Sequence, residues 1–310
     1  MAIQTDIIDR LPLNSRVAVI RLRSLGDCVL CTPALHLLKR ARPDLSLAII
    51  VEDRFDGVFE ANPDIAAILP PSARALRAFA PDLCLNLHGG GRSARLTALS
   101  GAGTRAGFDI FRPSWIYNTA IPTAQETLGV ERRVHTAEHA ASAMFHLGVP
   151  LSEVPRARLY APEGRSPHAP AGQYAVIHPF AATPEKTWPA HFFLELAGQL
   201  EFQAVVVGSA ADDFGPFASL SMAPGVPLSE LKRLMRDASL FIGNDSGPAH
   251  VAAAFGVPEV VFFGPSDSEI WSPWRTSNVV LKGEPIAAIP VSSAIDAVEA
   301  LRSRDGVAAR

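Results

Sequence analysis

Residues 16–27 read Arg-Val-Ala-Val-Ile-Arg-Leu-Arg-Ser-Leu-Gly-Asp, and the architecture follows from how this stretch is read. Residues 16–22 predict a strand of almost continuous apolar character, and residues 27–41, DCVLCTPALHLLKRA, predict an apolar helix after a short turn. A strand that is apolar on both faces belongs in a parallel sheet covered by helices on each side. The same alternation runs on through LSLAIIV (45–51), a helical FDGVFEAN (55–62), IAAIL (65–69), a helix near 72–80, DLCLNLH (82–88) and the helix HTAEHAASAMFHLG (135–148).

Residues 150–172 are rich in Pro, Ala, Ser and Arg and predict a linker. Beyond it the pattern restarts: YAVIHP (174–179), the helix HFFLELAGQL (191–200), QAVVVGS (203–209), the helix LSELKRLMRDA (228–238), LFIGND (240–245), the helix GPAHVAAAFG (247–256) and PEVVFFG (258–264). The reading is an α/β protein of two Rossmann-like domains, residues 1–160 and 161–310, facing across a cleft lined by strand carboxyl ends. The last helix, 292–304, packs on its own domain or crosses back to the first.

The chain has 310 residues, 48% hydrophobic and 19% charged, enough for two packed domains. Its formal net charge of −3 argues against general nucleic-acid binding, which needs surplus positive charge to displace counterions. The amino-terminal segment has no basic start or apolar stretch of a secretory signal, and runs such as EVVFF are too short to span a bilayer. A cytoplasmic protein is expected, at most peripheral to the inner face of a membrane. Three cysteines do not make a disulfide framework.

Four loops after strand ends carry groups suited to chemistry. In Ser24-Leu25-Gly26-Asp27, the Asp27 carboxylate sits at a helix mouth, where it either takes a proton from an acceptor hydroxyl or merely caps the helix. In Asn244-Asp245-Ser246-Gly247-Pro248-Ala249-His250, the N–H groups of Ser246, Gly247 and Ala249 and the helix dipole suit a diphosphate, with His250 one turn on. An ordinary strand–helix turn capped by Asp245 is the alternative. In Thr183-Pro-Glu-Lys186-Thr187-Trp188-Pro189, Lys186 either neutralises a departing diphosphate, as a metal would, or faces solvent. After a further strand, Asp212 or Asp213 either holds ribose hydroxyls or serves as a helix N-terminal acid.

Taken together, these loops resemble glycosyltransferase family nine, the lipopolysaccharide heptosyltransferase family. The segments that carry the resemblance are IRLRSLGDCVLCTPAL, DLCLNLHGGGRSARLTALSGAGTRAGF, KTWP and FIGNDSGPAHVAAAFGVPEVVFFGPSD, in order over nearly the whole chain. The resemblance implies a GT-B glycosyltransferase fold and an inverting, metal-independent transfer of a sugar, heptose by family likeness, from a nucleotide-sugar, ADP-linked by the same likeness, to a lipid-linked or lipopolysaccharide-core glycan. It implies Asp27 as general base, Lys186 on the donor phosphate, and Asp245, Ser246, Gly247 and His250 in the donor loop. Asp212, Thr187 and Leu228 complete the donor side; Arg92, Ser93 and Arg105 are the acceptor candidates. No cofactor or metal ligand is implied. A sugar-nucleotide epimerase or hydrolase on the same architecture, or a non-catalytic nucleotide-sugar binder, are the competing functions.

Three other patterns compete for attention. His135-Thr-Ala-Glu138-His139 matches a zinc-protease helix motif but needs a third ligand. Cys28-Val-Leu-Cys31 has the spacing of a redox pair, yet its apolar surroundings favour packing. Glu52 and Asp53 end the second strand where a dinucleotide-binding protein holds ribose, but the turn LRSLGDC lacks the glycine fingerprint.

Overall fold

The Val17–Ile20 side chains are wholly buried, as a central parallel strand requires, and the first unit is built outward from them. The computed structural model describes residues 4–304, and the chain divides into two compact units between Arg158 and Leu159. The first unit contains β1 (Arg16–Ile20), β2 (Ser46–Ile50), β3 (Ala67–Leu69), β4 (Leu83–Asn86), β5 (Thr104–Phe108) and β6 (Thr119–Ile121). Its helices are α1 (Ile7–Arg10), α2 (Leu25–Ala41), α3 (Ala73–Phe79), α4 (Gly90–Leu99), α5 (Ala124–Leu128) and α6 (Thr136–Leu147). The second contains β7 (Tyr174–His178), β8 (Gln203–Gly208), β9 (Ser221–Pro224), β10 (Leu240–Asn244), β11 (Glu259–Phe263) and β12 (Asn278–Lys282). Its helices are α7 (Ala190–Gln199), α8 (Leu228–Asp237), α9 (Gly247–Phe255), α10 (Ser268–Trp271) and α11 (Val291–Arg304).

Both sheets are parallel and six-stranded, in the orders β3-β2-β1-β4-β5-β6 and β12-β11-β10-β7-β8-β9. These are the same doubly wound topology. In each, the order reverses beside the unit's first strand, between β1 and β4 and between β7 and β10. That reversal opens a crevice at the strand carboxyl ends, because the helices leaving the two strands go to opposite faces.

Local chemistry explains the helix that leaves β1. Pro33 lies inside α2 and has no N–H to offer the Val29 carbonyl. The neighbouring Thr32 hydroxyl donates to that carbonyl at 2.8 Å and accepts the Arg158 N–H at 3.0 Å. The Thr-Pro pair therefore stays helical and also tethers the end of the unit. In the second unit, Trp188 is fully buried, stacked on Phe262 at 4.1 Å and edge-on to Phe193 at 4.9 Å. Its indole N–H donates to the Ile289 carbonyl at 3.0 Å, which fixes the chain entering α11. The apolar side of α11 (Val291, Ala294, Ala297, Val298, Leu301) joins α7 and the β7–β11 face in one core. Of the two placements expected for this helix, it takes the one on its own unit.

Candidate active site

The β1–β4 crevice is built around Asp27. Its Oδ2 accepts the Ser24 hydroxyl at 2.9 Å and the Ser24 N–H at 3.2 Å, so the helix cap anticipated from the sequence forms. Its Oδ1 accepts the Arg21 guanidinium, whose other arm donates to the Leu87 carbonyl at 2.5 Å. Arg21 thus ties the end of β1 to the end of β4 and aims the carboxylate. The Asp27 side chain retains 18% of its surface, so capping has not closed it off. Sequence reasoning gave Arg21 no role. Its position six residues before the acid, across a tight turn, was the signal available. His88, at the end of β4, has a pKa below the usual histidine value, through burial first and then the charges of Arg21 and Arg23.

The three acceptor candidates separate. Arg92, in the first turn of α4, is exposed and pairs with Glu52 at 2.7 Å. Ser93 is fully buried; its hydroxyl donates toward the Gly89 and Gly90 carbonyls at 2.5 and 3.0 Å and accepts the Asn86 amide at 3.1 Å. Arg105 donates to the Ile116 and Ala102 carbonyls at 2.9 and 3.1 Å. Ser93 and Arg105 are thus committed to their own unit's backbone, and only Arg92 is presented outward.

The β7–β10 crevice brings the second and third loops together. Lys186 Nζ lies 3.4 Å from Asp245 Oδ2. Asn244, wholly buried, accepts the Trp188 N–H at 3.0 Å and donates to the Pro179 carbonyl at 2.8 Å, joining the loop after β7 to the end of β10. Gly243 is required here, because a Cβ would approach the His178 carbonyl to 2.9 Å. Gly264 likewise allows the Glu185 carbonyl to pass directly over the end of β11.

At the mouth of α9, Ser246 is the N-cap and Gly247 the first helical residue. Neither spends its N–H on an intramolecular bond among the described residues, whereas Ala249 donates to the Ser246 carbonyl at 3.2 Å. The expected trio of open donors is therefore a pair. The Ser246 hydroxyl lies 3.0 Å from both the Asn244 carbonyl and His178 Nδ1. Burial pushes His178 down to about 4, so a neutral ring stands beside the Ser246 hydroxyl. His178 is a second residue to which the sequence assigned no function. His250 is buried one turn into α9.

The remaining donor candidates surround this crevice. Asp212 accepts the Ser209 N–H at 2.6 Å and shapes the turn after β8, while Asp213 accepts the Gly215 N–H at 2.9 Å. The Thr187 hydroxyl donates to the Thr183 carbonyl at 2.9 Å. Leu228, half-buried, opens α8. Beside the Lys186 loop lies an apolar cavity of about 450 Å³, bounded by Thr187, Pro265 and the Gly283–Ala287 turn.

The competing patterns resolve into structure. His135 caps α6 by accepting the Ala137 N–H at 3.2 Å. Glu138 takes the Arg132 guanidinium at 2.6 and 2.8 Å, and the His139 ring stacks on Phe108 at 4.1 Å. Among the described residues no group of three or more His, Cys, Asp or Glu could hold a metal ion. Cys28 and Cys31 are buried and unbonded to each other; burial raises both thiols, Cys31 to about 12. No helix of the described residues is long and apolar enough to cross a membrane.

Comparison with known proteins agrees with this layout. The profile of glycosyltransferase family 9 (heptosyltransferase) matches residues 72–294. The chain is 27% identical over 296 residues to lipopolysaccharide heptosyltransferase 3 of Escherichia coli, covering 83% of this chain and 86% of that protein. Among solved structures it resembles a family 9 glycosyl transferase from Veillonella parvula, with a TM-score of 0.82 and 22% identity over 97% of this chain and 99% of the other. It also resembles the E. coli ADP-heptose heptosyltransferase II, with a TM-score of 0.80 and 19% identity over 94% and 99%. Sharing that fold almost end to end, and matching the family profile across both crevices' second strands and the loops of the second unit, this protein belongs to glycosyltransferase family 9, the heptosyltransferases, and is a glycosyltransferase.

Proposed function

We propose that the chain transfers a heptosyl group, with inversion and without a metal ion, from an ADP-linked donor to a hydroxyl of a lipopolysaccharide-core acceptor. The observation that carries this reading is the seat at the β7–β10 reversal: Lys186 held by Asp245 beside the open N–H groups of Ser246 and Gly247 at the start of α9. A leaving nucleoside diphosphate needs fixed positive charge as the bond to the sugar breaks, and a lysine with a helix N-terminus supplies it. The names of the relatives, lipopolysaccharide heptosyltransferase 3 and ADP-heptose heptosyltransferase II, support the sugar, nucleotide and acceptor.

In the proposed step, the acceptor oxygen attacks the anomeric carbon opposite the diphosphate. Its proton passes to Asp27, and the bonding electrons leave with ADP. Arg21 orients the carboxylate, and Asp245 holds Lys186 in place. Asp212 is assigned to the ribose hydroxyls, Thr187, Leu228 and His250 to the rest of the donor, and Arg92 to an acceptor phosphate. The first unit then receives the acceptor and the second the donor, in the cytoplasm at the inner face of the inner membrane.

The test is incubation with ADP-heptose with and without a lipopolysaccharide-core acceptor, following ADP release. Release that depends on acceptor supports transfer. Donor turnover without acceptor favours an epimerase or hydrolase, and no turnover with any acceptor favours a binding protein. A thermal-shift panel of ADP-, UDP-, GDP- and dTDP-sugars identifies the nucleotide, because the tightest ligand raises the melting point most.

A further inference from the structure

We propose that the face of the first unit formed by α4 and the β5–β6 connection docks on an anionic lipid bilayer, with Trp115 and Ile110 entering the headgroup layer. Two independent properties of one segment meet here. Residues 88–119 contain Arg92, Arg95, Arg105 and Arg112, with Asp109 as their single acid, in a chain whose formal net charge is −3. Of the six large hydrophobic side chains exposed among the described residues, three belong to the same segment: Leu99, Ile110 at 59% and Trp115 at 80%. Apolar exposure and surplus positive charge concentrated in one segment, with Ile110 and Trp115 on the same β5–β6 connection, mark an interaction site rather than ordinary scatter.

The local fold shows that these side chains are held outward. Phe111, Ile116 and Tyr117 turn inward with Ala94 of α4 into a small apolar cluster. Phe111 covers Gly89, and Tyr117 lies flat over Gly107; a Cβ at either glycine would strike the ring at 2.8 or 2.5 Å. The Tyr117 hydroxyl accepts the buried Asn86 amide at 2.9 Å, and the Asn118 amide donates to the Gly103 carbonyl at 2.7 Å. With those residues anchored, the connection presents Ile110, Arg112 and Trp115 to solvent on a braced backbone. Arg112 donates to the Asp109 and Phe111 carbonyls at 2.5 and 3.1 Å, which keeps its charge over the loop.

The occupant is argued from chemistry. Tryptophan beside arginine suits the boundary between headgroup and acyl chain, where an amphipathic ring and a cation are both satisfied. Glu52, which pairs with Arg92, offsets one charge of the surface and leaves it positive. Anionic phosphates therefore complement it, and binding of this kind weakens with salt. In the transfer reading, this contact would also hold the first unit beside a lipid-borne acceptor; that consequence rests on the reading, whereas the lipid contact itself does not.

The test is co-sedimentation of the full chain with phosphatidylcholine vesicles, with and without phosphatidylglycerol, at low and physiological salt. The parent is expected to sediment with the anionic vesicles only, more weakly as salt rises, with a blue shift in tryptophan emission. The Ile110→Ser/Trp115→Ser variant, checked for an unchanged melting point, should bind about tenfold more weakly or less, and Arg95→Gln/Arg112→Gln should lose the preference for anionic lipid. Failure of the parent to bind, or equal binding by the serine variant, overturns the proposal. So does light scattering that shows a dimer dissociated by Trp115→Ser, which would assign the face to a second copy of the chain. The vesicles contain neither donor nor acceptor, so a failed transfer assay leaves this result standing.

Discussion

Asn244 Oδ1 accepts the main-chain N–H of Trp188 at 3.0 Å, and that bond, with the one Asn244 donates to the Pro179 carbonyl, fastens the loop bearing Lys186 to the loop bearing Ser246 and Gly247. Lys186 lies two residues before the bonded N–H, and Ser246 two residues after the asparagine. Lys186 and the open mouth of α9 are therefore held beside each other by the fold itself. Preorganised charge of this kind is what a departing diphosphate requires.

Replacing Asn244 tests the fastening. Asn244→Ala strands the buried Trp188 N–H and the Pro179 carbonyl, at a cost of about 2–4 kcal/mol for two lost partners. Urea denaturation should show that loss, and titration with ADP should show weaker binding. Full stability together with weak binding would mean that the tether acts on the ligand and not on the fold.

Lys186→Met should lower kcat/KM for transfer by about 10²–10³-fold, and Lys186→Arg should recover part of it. Steady-state kinetics in the presence of EDTA provide the second readout. Because lysine and the α9 mouth are proposed to supply the positive charge, chelation should leave the parent rate unchanged. A rate that collapses in EDTA would restore a metal to the mechanism.

Acid sensitivity has a defined origin in His178. Its folded value of about 4 lies below the ordinary 6.5, so as pH falls the unfolded chain takes up the proton first. The stability it contributes is complete above 6.5, declines between 6.5 and about 4, and is constant below. Urea midpoints of His178→Gln should therefore move in the variant's favour, relative to the parent, as pH is lowered through that window. A difference independent of pH would contradict the assignment.

Glu259 behaves in the opposite sense. It is fully buried at the start of β11, neither carboxyl oxygen has a hydrogen-bond partner among the described residues, and burial raises its pKa well above the ordinary value. Above pH 4.5 the unfolded chain gives up this proton while the folded chain keeps it, so the parent loses stability as pH rises. Glu259→Gln should be more stable than the parent near neutral pH by about 1–3 kcal/mol, with the gain shrinking toward pH 4.

The strands that carry the site were legible because each is a near-continuous apolar run: Val17–Ile20, Leu83–Asn86, Tyr174–His178 and Leu240–Asn244 all lie in the sheet interiors. The edges were not. β6 has three residues, β9 ends in Pro224, and β5 contains Arg105 and Gly107, so none shows a strand's apolar pattern. The Gly89–Gly91 run caps and opens α4, a helix that glycine propensity argues against and that packing of Ala94 and Leu96 secures. At the site, the sequence showed the loops but not their internal bonds. Arg21 at Asp27, His178 at Ser246 and the withdrawal of Ser93 and Arg105 depend on side-chain directions that spacing does not encode. The cap and the base were alternatives for Asp27 in the sequence; the structure shows the cap formed with the carboxylate still partly open.

The central claim is that Asp27 removes the acceptor proton while the donor sits at the mouth of α9. The most direct measurement compares the parent with Asp27→Asn in acceptor-dependent release of ADP from ADP-heptose, alongside donor affinity by calorimetry. General-base removal predicts a rate lower by about 10²–10⁴-fold with donor affinity and melting point essentially unchanged. A variant that transfers heptose within a few-fold of the parent would contradict the mechanism outright.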